Sequence, residues 1–211
     1  MVGLWEVLSV NVGDQTMTPV ARWFQYNEDG TCTGGNGWTQ NSVGTWTYDP
    51  KTKQFSAENS NGVKDEYGSF DVKFDQNKMM WNRKEDGMEV VVVLKPIEEV
   101  SPAPADLVHG LWRLTNVTKV GVNVTSSFDP QSKQFIHIRP DKRFRLRNRD
   151  ETLIAGFWHM NGHRPLFTLI NDDRSIANES FSVEFKDSQL IMKKSGEDVT
   201  FVYQRIFQFP N

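Results

Sequence analysis

Cysteine is almost absent: Cys32 is the only one in 211 residues, so no intrachain disulfide can form and no thiolate metal cluster can assemble. That fits a reducing compartment. Long apolar runs are missing too, the longest being Val90 to Leu94, a strand's length rather than the roughly 18 residues a membrane helix needs. No basic segment followed by an apolar stretch opens the chain, and folded-looking sequence starts at Gly3-Leu4-Trp5. The expected location is cytoplasmic as the sequence stands, or secreted or periplasmic if a signal peptide has been trimmed. Neither sign of charge is in large excess. A formal net charge of −3 and a pI near 5.8 give no basic field for a phosphate backbone, which removes nucleic acid from the expected partners.

Motifs of common chemistries are lacking as well. There is no GxSxG elbow, Walker loop or dinucleotide glycine motif, and Asp172-Asp173 stands in turn-like sequence. His159 and His163 are four apart, but Asn161-Gly162 between them signals a hairpin rather than a helix face, and His109 and His137 add no ligand pattern. Neither a metal nor a cofactor is expected. Sequons at Asn116, Asn123 and Asn178 are about as many as the Asn, Ser and Thr content produces by chance.

What the sequence has is bulk and repetition. Hydrophobic residues make up 37%, with 14 Phe and 7 Trp, enough to fill a core in each half of the chain. GLWEVLSV at 3–10 returns as GLWRLTNV at 110–117, Gly44-Thr-Trp46 as Gly156-Phe-Trp158, FDVKF at 70–74 as FSVEF at 181–185, and VVVVLKPI at 90–97 as VTFVYQRI at 199–206. Two domains follow, 1–98 and 108–211. The linker 99–107 lies in EEVSPAPAD and its neighbours, stiffened by Pro102 and Pro104.

Within each copy, apolar and polar residues alternate over short runs punctuated by Asp-Gly, Asp-Pro and Asn-Gly. In the first copy this predicts strands near 4–11, 20–27, 31–36, 42–49, 53–59, 67–75, 78–84 and 88–96. Eight such strands predict an all-β fold, two tandem antiparallel barrels that close to remove their edges. The face apolar in both copies is the inward one, because a slip of one residue would turn every side chain over. It carries Trp5 and Val7 with Trp112 and Leu114, Phe24 and Tyr26 with Ile136 and Ile138, and Trp46 and Tyr48 with Trp158 and Met160. It also carries Phe70, Val72 and Phe74 with Phe181, Val183 and Phe185, and Met79 and Trp81 with Leu190 and Met192. Last come Val90, Val92 and Leu94 with Val199, Phe201 and Tyr203.

Gly3-Leu4-Trp5 and Gly110-Leu111-Trp112, each opening a first strand, resemble the glycine-any-tryptophan signature of the lipocalin and fatty-acid-binding-protein (calycin) superfamily. The GTW and GFW strands and a basic residue near the end of the last strand are similar more specifically to bacterial lipocalin-like domains. The resemblance implies small eight-stranded barrels, a small hydrophobic or amphiphilic ligand inside, and an arginine of the final strand over the signature Trp. Arg205 matches that position beside Trp112, where a cation–π pair is expected. In the first copy Pro96 stands there and Lys95 has the opposite phase, so Trp5 is expected to lack the lid.

The expected ligand contacts are Trp46, Trp81, Arg83, Trp158, Met192, Lys194 and Tyr203, with Trp5, Trp112 and Arg205 closing the barrels. Arg83 and Lys194 are matched, inward in phase and placed to pair with an anionic head group, while Trp81 or Met192 meets the apolar part. Against this stands the reading that both cations reach solvent and that the interiors are filled by their own side chains. Arg143, Arg145, Arg147 and Arg149 alternate along one strand, a solvated stripe or a contact for an acidic partner. A carrier without enzymatic activity is the leading reading. An interaction module with filled barrels, and a barrel isomerase or hydrolase, are the alternatives.

Overall fold

The computed structural model describes residues 1–60, 65–148, 150–161 and 164–210. Arg149 and His163, singled out above, lie outside these residues. The chain forms two compact units, Met1–Ala103 and Pro104–Asn211. Each is a closed eight-stranded antiparallel β-barrel.

In the first unit the strands are β1 (Gly3–Val12), β2 (Gln15–Met17), β3 (Trp23–Tyr26), β4 (Thr31–Asn36), β5 (Thr39–Asp49), β6 (Gln54–Asn59), β7 (Phe70–Asp75), β8 (Lys78–Glu85) and β9 (Met88–Pro96). They form a meander in which β9 returns to β1, pairing from Trp5↔Pro96 to Val12↔Val90. The short β2 stays outside the ring, extending a hairpin from the far end of β1. The second unit repeats the plan. A one-turn helix α1 (Pro104–Leu107) precedes β10 (Gly110–Lys119) and β11 (Val122–Asn123); α2 (Thr125–Phe128) then leads to β12 (Phe135–Ile138), β13 (Arg143–Arg147), β14 (Leu153–Met160), β15 (Leu166–Asn171), β16 (Glu179–Lys186), β17 (Gln189–Lys194) and β18 (Val199–Ile206). Residues 104–107, read as linker from the sequence, thus belong to the second unit. Ala105 packs on its core and Val108, just after α1, is fully buried.

The period-two reading places the inward face well. Tyr26, Phe55, Val72, Met79 and Leu94 are buried in the first barrel, and Trp112, Ile136, Ile138, Phe144, Trp158, Phe167 and Leu190 in the second. Both copies brace the β-hairpin below the fifth strand in one way. Trp46 Nε1 donates to the Asn27 carbonyl and Trp158 Nε1 to that of Arg139, each across 19 residues.

Two features break the simple alternation. Leu8 is an extra residue between the Val7↔Leu94 and Ser9↔Val93 pairs, and Thr115 stands at the same place between Leu114↔Tyr203 and Asn116↔Val202. Each bulge shifts the phase, so that Val10 and Val117, not Ser9 and Asn116, turn to the core. Phe74 is the second correction: it has the inward phase but is 49% exposed. It lies at the end of the barrel where β1 begins, with the rings of Trp5 and Tyr48 at 6.5 and 6.3 Å between centroids. Its counterpart Phe185 is covered, because the second barrel has a closed base there.

Candidate functional site

The base of the second barrel is built from the signature strand. Trp112 Nε1 donates to the Val108 carbonyl, and the Arg205 guanidinium lies 4.2 Å from the Trp112 ring centroid. Arg205 also donates to the carbonyls of His109 and Leu107, at 2.6 and 2.8 Å, so that β18 is tied to the chain entering the barrel. Burial lowers its pKa. A Cβ on Gly110 would meet the guanidinium, and its φ of +142° disfavours any other residue, which is the physical reason for glycine two places before this Trp. In the first barrel Trp5 pairs with Pro96, which has no charge to offer. Trp5 keeps the equivalent indole bond, to the Met1 carbonyl, but is only half-buried.

The two cations expected to meet a ligand are both neutralised within the protein. Arg83 pairs with Asp65 and with Glu85, donates to the Gly68 carbonyl at 2.7 Å, and lies 3.9 Å from the Phe70 ring centroid and 5.5 Å from that of Tyr67. Its side chain is 12% exposed. Lys194 holds Glu179 at 2.7 Å and Glu197 at 2.9 Å, hydrogen bonds that raise its pKa. Neither is a spare positive charge waiting for a carboxylate. The sequence could show the cations and their phase, but not these partners, since Asp65 and Gly68 come from the β6–β7 connection.

The interiors differ, and the pairing registers allow a position-by-position comparison. On the inward face of β13, β14 and β15 stand Phe144, Leu146, Ile154 and Leu169; the matched residues of β4, β5 and β6 are Cys32, Gly34, Ser42 and Ala57. Every one of the four is smaller. Part of the space is taken by larger aromatics. Phe24 replaces Ile136 and leans on Gly34, where a Cβ would come within 2.8 Å of its ring, and Trp81 replaces Met192, stacking on Phe55 at 4.8 Å. Ala57 faces inward between Trp46 and Phe55 and is exposed, whereas Leu169 is 3% exposed.

The barrel wall is also shorter at this place. Among the described residues β6 pairs with β7 at Gln54↔Asp71 and Phe55↔Phe70, while β15 and β16 pair over four residues. At the end where β1 finishes, α2 brings Phe128 against Phe201 in the second barrel, 5.6 Å between centroids. The first barrel has only the shorter connection 18–22, whose Val20 is exposed. Met17, Trp38, Tyr67 and Met88 are exposed around the same rim.

Among the expected ligand residues, then, Trp81 is buried in the core of the first barrel with Trp46 packed against it and Arg83 at its rim, whereas Trp158, Met192 and Tyr203 are buried in the core of the second. Trp81 carries a further feature. Its Nε1 is buried and has no hydrogen-bond partner among the described residues, a state that costs about 1–3 kcal/mol when nothing accepts the proton.

The arginine stripe faces outward, with Phe144 and Leu146 inward as expected. Arg143 pairs with Asp172 and lies over Phe157 at 4.3 Å. Arg147 lies over Phe135 at 5.0 Å and donates to the Pro210 carbonyl; Arg145 is exposed. Among the described residues no group of three or more His, Cys, Asp or Glu side chains is arranged to hold a metal ion, and no helix is long and apolar enough to cross a membrane. No family model matches the chain, and no curated protein matches its sequence.

Proposed function

We propose that this protein is a binding or carrier protein for a small amphiphilic molecule, held in the first barrel, while the second barrel is a filled scaffold. The observation that carries this reading is the replacement of Phe144, Leu146, Ile154 and Leu169 by Cys32, Gly34, Ser42 and Ala57, with water reaching the inward-facing Ala57. A barrel kept only as a scaffold gains nothing from losing core volume, because each buried methylene contributes about 0.8 kcal/mol. The lipocalin-like resemblance of the strand motifs points the same way. No nucleophile, paired carboxylate or metal enters the argument, so the reading is of binding without catalysis.

The test uses N-phenyl-1-naphthylamine, a neutral fluorescent probe of about 17 heavy atoms. At about 0.4–0.5 kcal/mol per heavy atom its dissociation constant is expected to be micromolar. The Ser42→Ile, Ala57→Leu variant installs the second barrel's own side chains. It is expected to bind the probe at least tenfold more weakly while keeping the circular dichroism and thermal midpoint of the parent. Equal binding by the variant, or no saturable binding by the parent, would refute the reading.

A second reading has its own observation. Arg145 and Arg147 share the outer face of the second barrel with exposed Leu153, Phe157 and Ile170, and Phe157 and Ile170 are cross-strand neighbours. Arginine beside exposed aromatic and aliphatic groups is the composition of protein-binding hot spots, which favours an acidic protein partner there.

A further inference from the structure

Resting on the reading of the first barrel as the binding unit, we infer that its ligand carries a cationic, ammonium-type head group, and that anionic amphiphiles such as fatty acids are excluded. The inward-facing cation at the rim, Arg83, meets two carboxylates, Asp65 and Glu85, a carbonyl at Gly68 and the Phe70 and Tyr67 rings. Asp86 adds a third carboxylate, held by the Tyr67 hydroxyl, which donates to it at 2.8 Å. This cluster has three negative charges to one positive. Around the same rim, among the described residues, Asp14, Glu66 and Glu89 stand against Arg22 and Lys84; counting Lys64 of the same connection, which lies outside the described residues, makes these surroundings neutral and leaves the surplus of the cluster in place.

The asymmetry extends over the whole unit. Residues 1–103 contain 15 acidic and 9 basic side chains, residues 104–211 contain 12 and 15. A carboxylate head arriving at this rim meets repulsion from the surplus carboxylates, and the Arg83 guanidinium, already paired with Asp65 and Glu85, is not available to offset its desolvation. An ammonium head meets the opposite field, and with it the exposed face of Tyr67 for cation–π contact. Arg83 itself illustrates the chemistry. The site already accommodates a guanidinium between carboxylates and rings, and does so with a group supplied by the chain.

A second feature of the inward face points to a ligand independently of the charges. Trp81, two residues from Arg83 on β8 and 5.7 Å from Phe70 between centroids, is 5% exposed and its Nε1 has no partner among the described residues. A ligand with an acceptor atom below its head group, such as an ester or ether oxygen, would satisfy it.

The experiment displaces N-phenyl-1-naphthylamine from the full chain with dodecyltrimethylammonium, dodecanol and dodecanoate, each below its micelle concentration. The expected order is the cation tightest and the carboxylate weakest, with at least tenfold between them, a gap that narrows as salt is raised to about 0.5 M because the charges lie at a rim open to solvent. The Asp65→Asn, Glu85→Gln variant releases Arg83 and is expected to reverse the order in favour of dodecanoate. The salt series on the unaltered protein decides the matter even where that variant folds poorly. If the naphthylamine binds but dodecanoate displaces it as well as the ammonium does, the inferred head group is wrong and the binding reading stands. If the naphthylamine does not bind at all, the binding reading itself falls.

Discussion

Trp112→Ala is expected to destabilise the second barrel by about 3–5 kcal/mol, while the matched Trp5→Ala costs the first less than half as much. The two residues share a motif, a strand position and an indole bond to the carbonyl four residues earlier, so their difference isolates what surrounds them. Trp112 is 1% exposed, with Arg205 on its face, Phe185 at its edge and the chain after α1 beneath it. Deleting it removes a large buried side chain and leaves the guanidinium without the ring that covers it. Trp5 is half-buried, touches the exposed Phe74 and has Pro96 as neighbour, so much of what alanine would expose is already wet. Urea unfolding followed by circular dichroism, fitted as two transitions, checks this. Equal losses in the two barrels would show that the closed base contributes little.

Gly156→Ala is the second large effect, expected to cost about 3 kcal/mol or more. A Cβ there would stand 2.1 Å from the Ile170 carbonyl oxygen of β15 and 2.7 Å from the Phe144 ring. Backbone cannot yield as a flexible side chain can, so the β14–β15 ladder would have to part. Gly44 meets the same obstacle, 1.9 Å from the Glu58 carbonyl, so the glycine of GTW and GFW is explained by close strand approach in both copies. A Gly156→Ala variant with an unchanged thermal midpoint would contradict this account.

Much of the fold is legible in the sequence because the chain states it twice. The alternation common to both copies identifies Tyr26, Val72, Trp112 and Trp158 as core, and the matched ends of the last strands bring Arg205 to Trp112. The bulges at Leu8 and Thr115 are not legible, since an unpaired residue leaves no mark on a pattern read from one strand at a time. Nor is the pairing of Arg83 with Asp65, because the position of a loop carboxylate depends on how the loop folds. The difference in side-chain size between the two inward faces is legible in the sequence. Cys32, Gly34, Ser42 and Ala57 differ from Phe144, Leu146, Ile154 and Leu169 in size, which a pattern of polarity alone does not register.

The central claim is that only the first barrel takes a ligand, and the indole N–H resonances of the tryptophans report on it directly. Titrating N-phenyl-1-naphthylamine into ¹⁵N-labelled protein, with each resonance assigned by single Trp→Phe substitution, is expected to shift the signals of Trp81 and Trp46. Those of Trp112 and Trp158, in the filled barrel, should stay in place. Shifts at Trp112 or Trp158 with none at Trp81 and Trp46 would contradict the claim.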